Sequence, residues 1–248
     1  MLDDSPAIQQ FLPFIHTLPA GPLTKEKLLV PDLLVQKKEN VEIYYAPHNE
    51  FINPHASILI AGITPGWTQM KSAFEKARDC LADATSLDDL ALEVKRAGRF
   101  AGGMRKNLVD MLNECGLNDK LGLDSCSAIF GTHDFLLHTT SIIKYPVFIQ
   151  GRNYNGHTPS IERVPELRSF AYQSFPEELS KLRDRFLIIP LGKTVSTVLQ
   201  SLMSEGRITE HPCLFGFPHP SGANGHRHRQ FKDRKEEFKK KINEFFNS

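Results

Sequence analysis

The stretch SILIAGITPGW, residues 57–67, carries the most information about the fold. Its first half is an unbroken apolar run, which is typical of a strand buried on both faces of a parallel sheet. Its second half, Gly-x-x-Pro-Gly at 62–66, predicts a tight, rigid turn whose backbone N–H groups can approach a ligand closely. A buried strand that ends at such a turn favours an α/β fold with functional loops at the carboxyl ends of its strands.

Outward from this stretch, strands and helices alternate along the chain. Short apolar runs predict further strands at 41–46, 138–143 and 186–191. Apolar residues at helical spacing predict helices within 68–98, at 103–115 and after Arg229. This alternation predicts a three-layer α/β/α sandwich on a mostly parallel central sheet of about four strands.

The length of the chain, 248 residues, suits a single α/β domain with elaborations. We therefore expect one domain over residues 1–248. Several prolines divide residues 1–40 into short apolar pieces, which predicts an N-terminal wrap of short helices. The segment 68–98 is interpreted as a helical insertion.

The composition argues against several classes of protein. The formal net charge is only +1, so any basic surface for a polyanion must be local. The start, MLDDSPAIQQ, carries acids where a signal peptide has basic residues, and no apolar run approaches the ~18 residues of a membrane span. The cysteines form no CxxC pair, which argues against structural zinc or an iron–sulfur cluster. We expect a cytoplasmic, soluble protein with reduced thiols, no metal and no cofactor.

Four segments combine residue types that can perform chemistry: SILIAGITPGW, RFAGGMRKNLVDML, HTTSIIKYP and FPHPSGANGHRHRQF. All four lie at predicted strand ends or helix starts. Each alone is weak evidence, because a Gly-x-x-Pro-Gly turn is common and a lone histidine such as His219 is more often a core residue. The order and spacing of the four segments together favour a functional site.

In this order the segments resemble the uracil-DNA glycosylase superfamily. Residues 62–66 are similar to its G-x-x-P-G motif, and 219–222 to its H-P-S-x motif. FAGGMRKNLVDMLNECGL is similar to the F-x-G-x-x-G-x-x-L-x-x-x-L segment of the bacterial and archaeal thermophile-type branch, and HTTSIIKYP to that branch's T-N-x-x-K-C-x-P strand. FLIIPLGKTV is similar to the strand and helix start before the last motif. The resemblance covers about residues 58–232 and implies the superfamily fold.

The resemblance implies a role for each matching residue. The target nucleotide is flipped from the duplex, Phe100 stacks on its base, and His219 stabilises the negative charge of the departing base. Ser221 and the Gly66 region hold phosphates, and the basic loop after Ser221 enters the minor groove. The implied catalytic residues are His219 and Thr64. The implied substrate-binding residues are Gly62, Ile63, Pro65, Gly66, Trp67, Phe100 and Ser141. The implied DNA-binding residues are Ser221, Asn224, His226, Arg227 and Arg229.

Three departures from the family pattern bear on the chemistry. Thr64 stands where efficient uracil-removing members often have a water-holding Asp or Asn; Glu50 and Asp134 are the alternative carboxylates. Ser141 stands where the family usually has an asparagine that reads the base edge, so uracil is discriminated less well and space opens beside the ring. The cluster-binding cysteine pattern of the thermophile-type branch is absent. Zinc on His219, His226 and His228 is an alternative, but contact with DNA phosphate is favoured.

These departures favour a monofunctional glycosylase for a larger modified pyrimidine, such as the glucosylated hydroxymethylcytosine of phage genomes. A lyase is disfavoured because the motif loops contain no lysine; Lys193 and Lys144 are the nearest. The alternatives are an ordinary uracil-DNA glycosylase, a catalytically inactive DNA-binding module on the same fold, and an unrelated α/β hydrolase or nucleotide-binding protein. The last has neither a P-loop nor a G-x-S-x-G elbow in its favour. The expected partner is single- or double-stranded DNA, with no membrane partner, and the expected state is a monomer.

Overall fold

The computed structural model describes residues 1–2, 7–83 and 85–247. The helices are α1 (Ile8–His16), α2 (Lys25–Leu28), α3 (Trp67–Ala82), α4 (Leu87–Gly98), α5 (Gly102–Glu114), α6 (Leu117–Leu121), α7 (Pro165–Ser169), α8 (Phe175–Leu179), α9 (Lys193–Ser204) and α10 (Arg227–Phe246). The strands are β1 (Leu34–Lys38), β2 (Val41–Tyr44), β3 (Ile58–Gly62), β4 (Leu137–Ser141), β5 (Val147–Ile149), β6 (Arg152–Asn153) and β7 (Leu187–Pro190). Residues 3–6 of the predicted wrap and residue 84 of the predicted insertion lie outside the described residues. Among these helices, none has the length and apolar character needed to cross a membrane.

The chain divides into two compact units, and each is assembled from three separate segments. Unit 1 contains residues 1–52, 64–99 and 143–175. Unit 2 contains residues 53–63, 100–142 and 176–248. The predicted organisation as a single domain stays a prediction.

Unit 2 is built on a parallel sheet with the strand order β4-β3-β7. The central strand β3 is buried along its whole length, in keeping with its unbroken apolar sequence. Ile58, Ile60, Leu187 and Ile189 pack into one hydrophobic core with side chains of α5 and α10. Alternate residues of a strand point to opposite faces, so the equally buried Leu59 belongs to the other face of the sheet.

Unit 1 is built on an antiparallel sheet with the strand order β1-β2-β5-β6. The long helices α3 and α4 belong to this unit, as do α1, α2 and α7. The fully buried Tyr45, just after β2, stacks on Phe11 with ring centroids 3.8 Å apart and meets Tyr145 edge-on at 5.4 Å. In the segment 68–98, α3 and α4 confirm the helices that the apolar spacing predicts.

The structure confirms a mixed α/β protein with a parallel sheet, and it corrects two details. In the described part of the chain the parallel sheet has three strands, because the predicted strand at 41–46 pairs in the antiparallel sheet. The last residues of the predicted helical wrap form β1, which makes a hairpin with β2 through a turn at Glu39, where φ is +52°. The mostly exposed sequence of β1 has no apolar periodicity that would reveal a strand.

Candidate functional site

The carboxyl ends of the three parallel strands bring several predicted residues of unit 2 together. Gly62 ends β3 and lies opposite Ser141, the last residue of β4. The backbone N–H of Leu191, just beyond β7, donates to the carbonyl of Ala61 at 2.9 Å, so Gly192 follows at the same edge. Loops at this edge of a parallel sheet are the usual place for a ligand.

Gly62, Ser141 and Phe100 lie close together at this edge. A Cβ atom at Gly62 would lie 3.6 Å from Ser141 Oγ and 4.0 Å from Phe100 Cζ, both ordinary contact distances. Ser141 is 6% exposed and Phe100 7% exposed, so the hydroxyl and the ring are largely withdrawn from solvent. The three residues that the resemblance assigns to base recognition are neighbours, and all of their side chains except the ring are small. Ile63, which follows Gly62, is partly exposed.

His219 lies beside this edge, on the loop after β7 and α9. A Cβ atom at Gly192 would lie 3.5 Å from His219 Cβ, and the φ of +95° at Gly192 lets the chain pass close to the imidazole. The backbone N–H of Ser221 donates to His219 Nδ1 at 3.2 Å. Because Nδ1 is the acceptor, the proton of the neutral ring sits on Nε2.

Burial lowers the pKa of His219. The imidazole is therefore neutral at pH 7 and presents an Nε2–H donor, which binds no residue in the described part of the chain. Such a donor can stabilise an anion without first transferring a proton to it.

The loop after His219 is held by its own polar side chains. Asn224 Nδ2 donates to the His219 carbonyl at 3.2 Å, and an Arg227 Nη donates to the Ser221 carbonyl at 3.0 Å. The hydroxyl of Ser221 accepts from the Ala223 N–H at 3.2 Å. Asn107 of α5, a residue that the sequence analysis missed, donates to the Pro220 carbonyl at 2.8 Å. Asn224 and Arg227, expected to reach DNA, thus support the turn that carries the imidazole.

His226 and Arg229 differ from Asn224 and Arg227 because both are exposed. The Arg229 side chain is 86% exposed and makes a long contact of 3.9 Å with Asp233. The first turn of α10 contains no acidic residue but does contain basic ones. Positive charge is unfavourable at a helix N-terminus, so an anion at this turn would be stabilised.

Thr64 belongs to unit 1, and the two shorter hydrogen bonds of its hydroxyl are made there; a third contact, to the Pro65 carbonyl, is 3.4 Å long. The hydroxyl donates to the Tyr145 carbonyl at 2.7 Å and accepts from the Val147 N–H at 3.1 Å. This pair of bonds attaches the turn after β3 to the segment that enters β5. The hydroxyl proton is directed at the Tyr145 carbonyl, so Thr64 could contact a water molecule only as an acceptor.

The backbone of the Pro65-Gly66-Trp67 turn does not offer the free N–H groups expected for holding phosphate. The Gly66 N–H donates to Gln69 Oε1 at 3.2 Å, and the Trp67 N–H donates to Asn153 Oδ1 at 3.0 Å. Both amide side chains therefore cap the start of α3. Asn153 is far away in the chain, and the sequence gives no periodic signal for this contact.

The two alternative carboxylates lie in different units. Glu50 is 4% exposed in unit 1, and its Oε1 accepts from the Tyr145 hydroxyl at 2.9 Å and pairs with Lys144 Nζ at 3.2 Å. Asp134 of unit 2 begins a short 3-10 turn before β4. The surroundings of Glu50 are those of a structural ion pair that orients Tyr145.

The potential metal ligands are dispersed. Among the described residues, no group of three His, Cys, Asp or Glu side chains could hold a metal ion. All four cysteines are buried with free thiols, and burial raises the pKa of both Cys115 and Cys126 to about 12. These thiols are therefore protonated core residues at neutral pH.

One known protein is similar to this chain over nearly its whole length. The chain is 44% identical over 245 residues to the uncharacterized protein YoxB of Bacillus subtilis (strain 168), and the match covers 99% of the chain and 95% of YoxB. No protein-family model and no solved structure matches the chain.

Proposed function

The chain belongs to the family of YoxB, and we propose that it is a monofunctional DNA glycosylase. It would flip a pyrimidine out of DNA and hydrolyse the N-glycosidic bond, leaving an abasic site. The proposal includes the three-layer α/β/α sandwich of the uracil-DNA glycosylase superfamily, a monomeric state, no cofactor and a cytoplasmic location. It rests on the resemblance of the motifs and on the arrangement of the unit 2 site.

The observation that carries the proposal is the state of His219. Cleavage of an N-glycosidic bond leaves negative charge on the departing base. A neutral imidazole with its proton on Nε2 and its other nitrogen occupied by the Ser221 N–H can donate to that charge. A fixed donor aimed at developing charge, in a site with little water, is typically worth ~10²–10³ in rate.

The small side chain of Ser141 supports a pyrimidine larger than uracil. A serine hydroxyl makes one small contact, whereas an asparagine would pair with both a donor and an acceptor of the base edge. A site with serine at this position therefore rejects a substituted base less strongly than a site with an asparagine that pairs with the base edge. We propose hypermodified cytosine of phage DNA, such as glucosylated hydroxymethylcytosine, as the substrate class.

The basic first turn of α10 supports DNA as the partner. Its cations stand where the helix dipole disfavours them, and the exposed Arg229 is only loosely paired. A backbone phosphate at this turn would remove the unfavourable interaction and hold the strand beside the His219 loop.

A second candidate is a catalytically inactive DNA-binding module. The engagement of the Thr64 hydroxyl with the Tyr145 carbonyl favours it, because the residue expected to orient water has no free proton. The carboxylate of Glu50, the alternative to Thr64, is also engaged, because it accepts from the Tyr145 hydroxyl and pairs with Lys144. Such a module would bind DNA without releasing a base.

Base release separates these candidates. The protein is incubated with unmodified, uracil-containing, hydroxymethylated and glucosylated DNA, and alkali then converts abasic sites into strand breaks. We expect breaks in the glucosylated or hydroxymethylated DNA. Binding without breaks in any of the four substrates would support the inactive module.

The variant His219→Ala identifies the catalytic group. It should lower base release by ~10²-fold or more while the circular dichroism spectrum stays unchanged. His157→Ala is the control, because His157 is an exposed histidine outside the four motif segments; it should retain activity within about twofold. Full activity of His219→Ala would refute the proposed role of this residue.

A further inference from the structure

Arg105 is a partly buried cation whose guanidinium is fixed in position. It lies in the first turns of α5, and its Nε donates to the carbonyl of Phe100. The guanidinium also lies over the ring of Phe130, with 5.3 Å from Cζ to the ring centroid. This hydrogen bond and this cation–π contact fix the orientation of the guanidinium and therefore of its two Nη groups.

No ion pair joins Arg105 to any carboxylate of the described residues, whereas the adjacent Lys106 pairs with Asp110 at 2.7 Å. Burial lowers the pKa of Arg105, which reflects the cost of desolvating an uncompensated charge. A desolvated cation without a counterion destabilises the folded protein, and such sites often have a function.

The position of Arg105 relates it to the unit 2 site. The carbonyl that it binds belongs to Phe100, whose ring edge is 4.0 Å from the Cβ position of Gly62. In the F-x-G-x-x-G-x-x-L-x-x-x-L pattern that the α5 segment resembles, residue 105 stands where the second glycine is. The long cationic side chain is therefore specific to this sequence and is not supplied by the pattern.

We propose that Arg105 binds a phosphate oxyanion of the substrate beside Phe100. The planar fork of an arginine matches the geometry of phosphate oxygens and can form two parallel hydrogen bonds with them. This inference rests on the proposed function only for the source of the phosphate, a DNA strand; the alternative source is a free nucleotide.

The test measures binding of a labelled single-stranded oligonucleotide and of the matching duplex by fluorescence anisotropy over a range of KCl concentrations. Arg105→Met retains an apolar stem to cover Phe130 and removes the charge. We expect it to weaken binding about 10- to 100-fold at low salt, the range for a lost charge-assisted hydrogen bond. The slope of log affinity against log salt should fall by about one.

Lys106→Met is the matched control, because its side chain is 77% exposed and paired with Asp110. It should change the affinity less than about twofold. Arg105→Lys should fall between the wild type and Arg105→Met, since it retains the charge but loses the fixed orientation of the fork. Thermal unfolding of each variant verifies that the fold is retained.

Competition by inorganic phosphate and by a nucleoside 5′-monophosphate distinguishes the two sources. Weak competition by both supports a DNA phosphodiester, whereas tight, Arg105-dependent binding of the mononucleotide supports a free nucleotide and overturns DNA as the source. Wild-type affinity and salt slope in Arg105→Met would overturn the inference, even if the protein releases a base. Loss of binding in Arg105→Met without base release by the wild type would instead refute the glycosylase while supporting the phosphate site.

Discussion

Gly62 and Ser141 determine at the scale of single residues how much room the base would have. Ser141→Asn should add a side chain that can both donate to and accept from the base edge, and it should leave less room for the base. We expect preference to move toward uracil, with release of the larger base reduced by about 1–3 kcal/mol in activation free energy, the range for overpacking a filled site. Base release from matched oligonucleotides measures both changes.

Gly62→Ala separates the two effects of Ser141→Asn. Its added methyl group meets its neighbours at 3.6 Å or more, so the fold accommodates it. The methyl group leaves less room beside Ser141 but forms no hydrogen bond with the base edge. Release of the larger base should therefore fall, while release of uracil does not rise. Rapid uracil release by the wild type, with no turnover of hydroxymethylated or glucosylated cytosine, would contradict the proposed selectivity and leave an ordinary repair enzyme.

At the scale of elements, α4 of unit 1 packs closely on the turn at 47–49. A Cβ atom at Gly98 would lie 2.5 Å from His48 Cβ and 2.6 Å from His48 Cγ, which no real contact allows. Lys95 Nζ of the same helix donates to Asn49 Oδ1 at 3.1 Å and fixes the helix against the turn. The absence of a side chain at residue 98 is therefore required by packing.

Gly98→Ala should lower the free energy of unfolding by about 3 kcal/mol, the upper part of the usual range for overpacking. Urea denaturation followed by circular dichroism measures this loss. Gly103→Ala, at an open position of α5, is the control and should cost less than about 0.5 kcal/mol. The double variant Gly98→Ala with His48→Gly should recover part of the loss, because glycine removes both the Cβ and the ring that oppose residue 98; no recovery would contradict the proposed contact.

The elements also show what could be predicted from the sequence. Gly62 and Ser141 end buried strands, and His219 lies in a recognisable turn, so the rule that ligands bind at carboxyl ends of parallel strands predicts that they lie at one edge of the sheet. The contacts of Asn107 with Pro220 and of Asn153 with Trp67 join residues that are far apart in the chain and follow no periodicity. The engagement of Thr64 likewise depends on the position of Tyr145, which the local sequence does not determine.

At the scale of the whole molecule, the net charge is only +1, but individual ionisable groups differ strongly in burial and in hydrogen-bond partners. His48 of unit 1 is 2% exposed, and neither ring nitrogen has a hydrogen-bond partner among the described residues. Burial, and to a smaller extent the charge of Lys95, lowers the pKa of His48 to about 3. His55, by contrast, is exposed and pairs with Asp184 at 2.9 Å.

The depressed pKa of His48 predicts how stability depends on pH. The unfolded chain binds a proton at this residue below a pH of about 6.5, whereas the folded protein does not until the pH approaches 3. Stability must therefore fall as the pH decreases through this window, by about 1.4 kcal/mol per pH unit from this histidine. His48→Leu loses no hydrogen bond, so its urea-unfolding free energy should decline less steeply between pH 6 and pH 5, by about this amount. A wild-type slope in His48→Leu would show that His48 is not the group responsible.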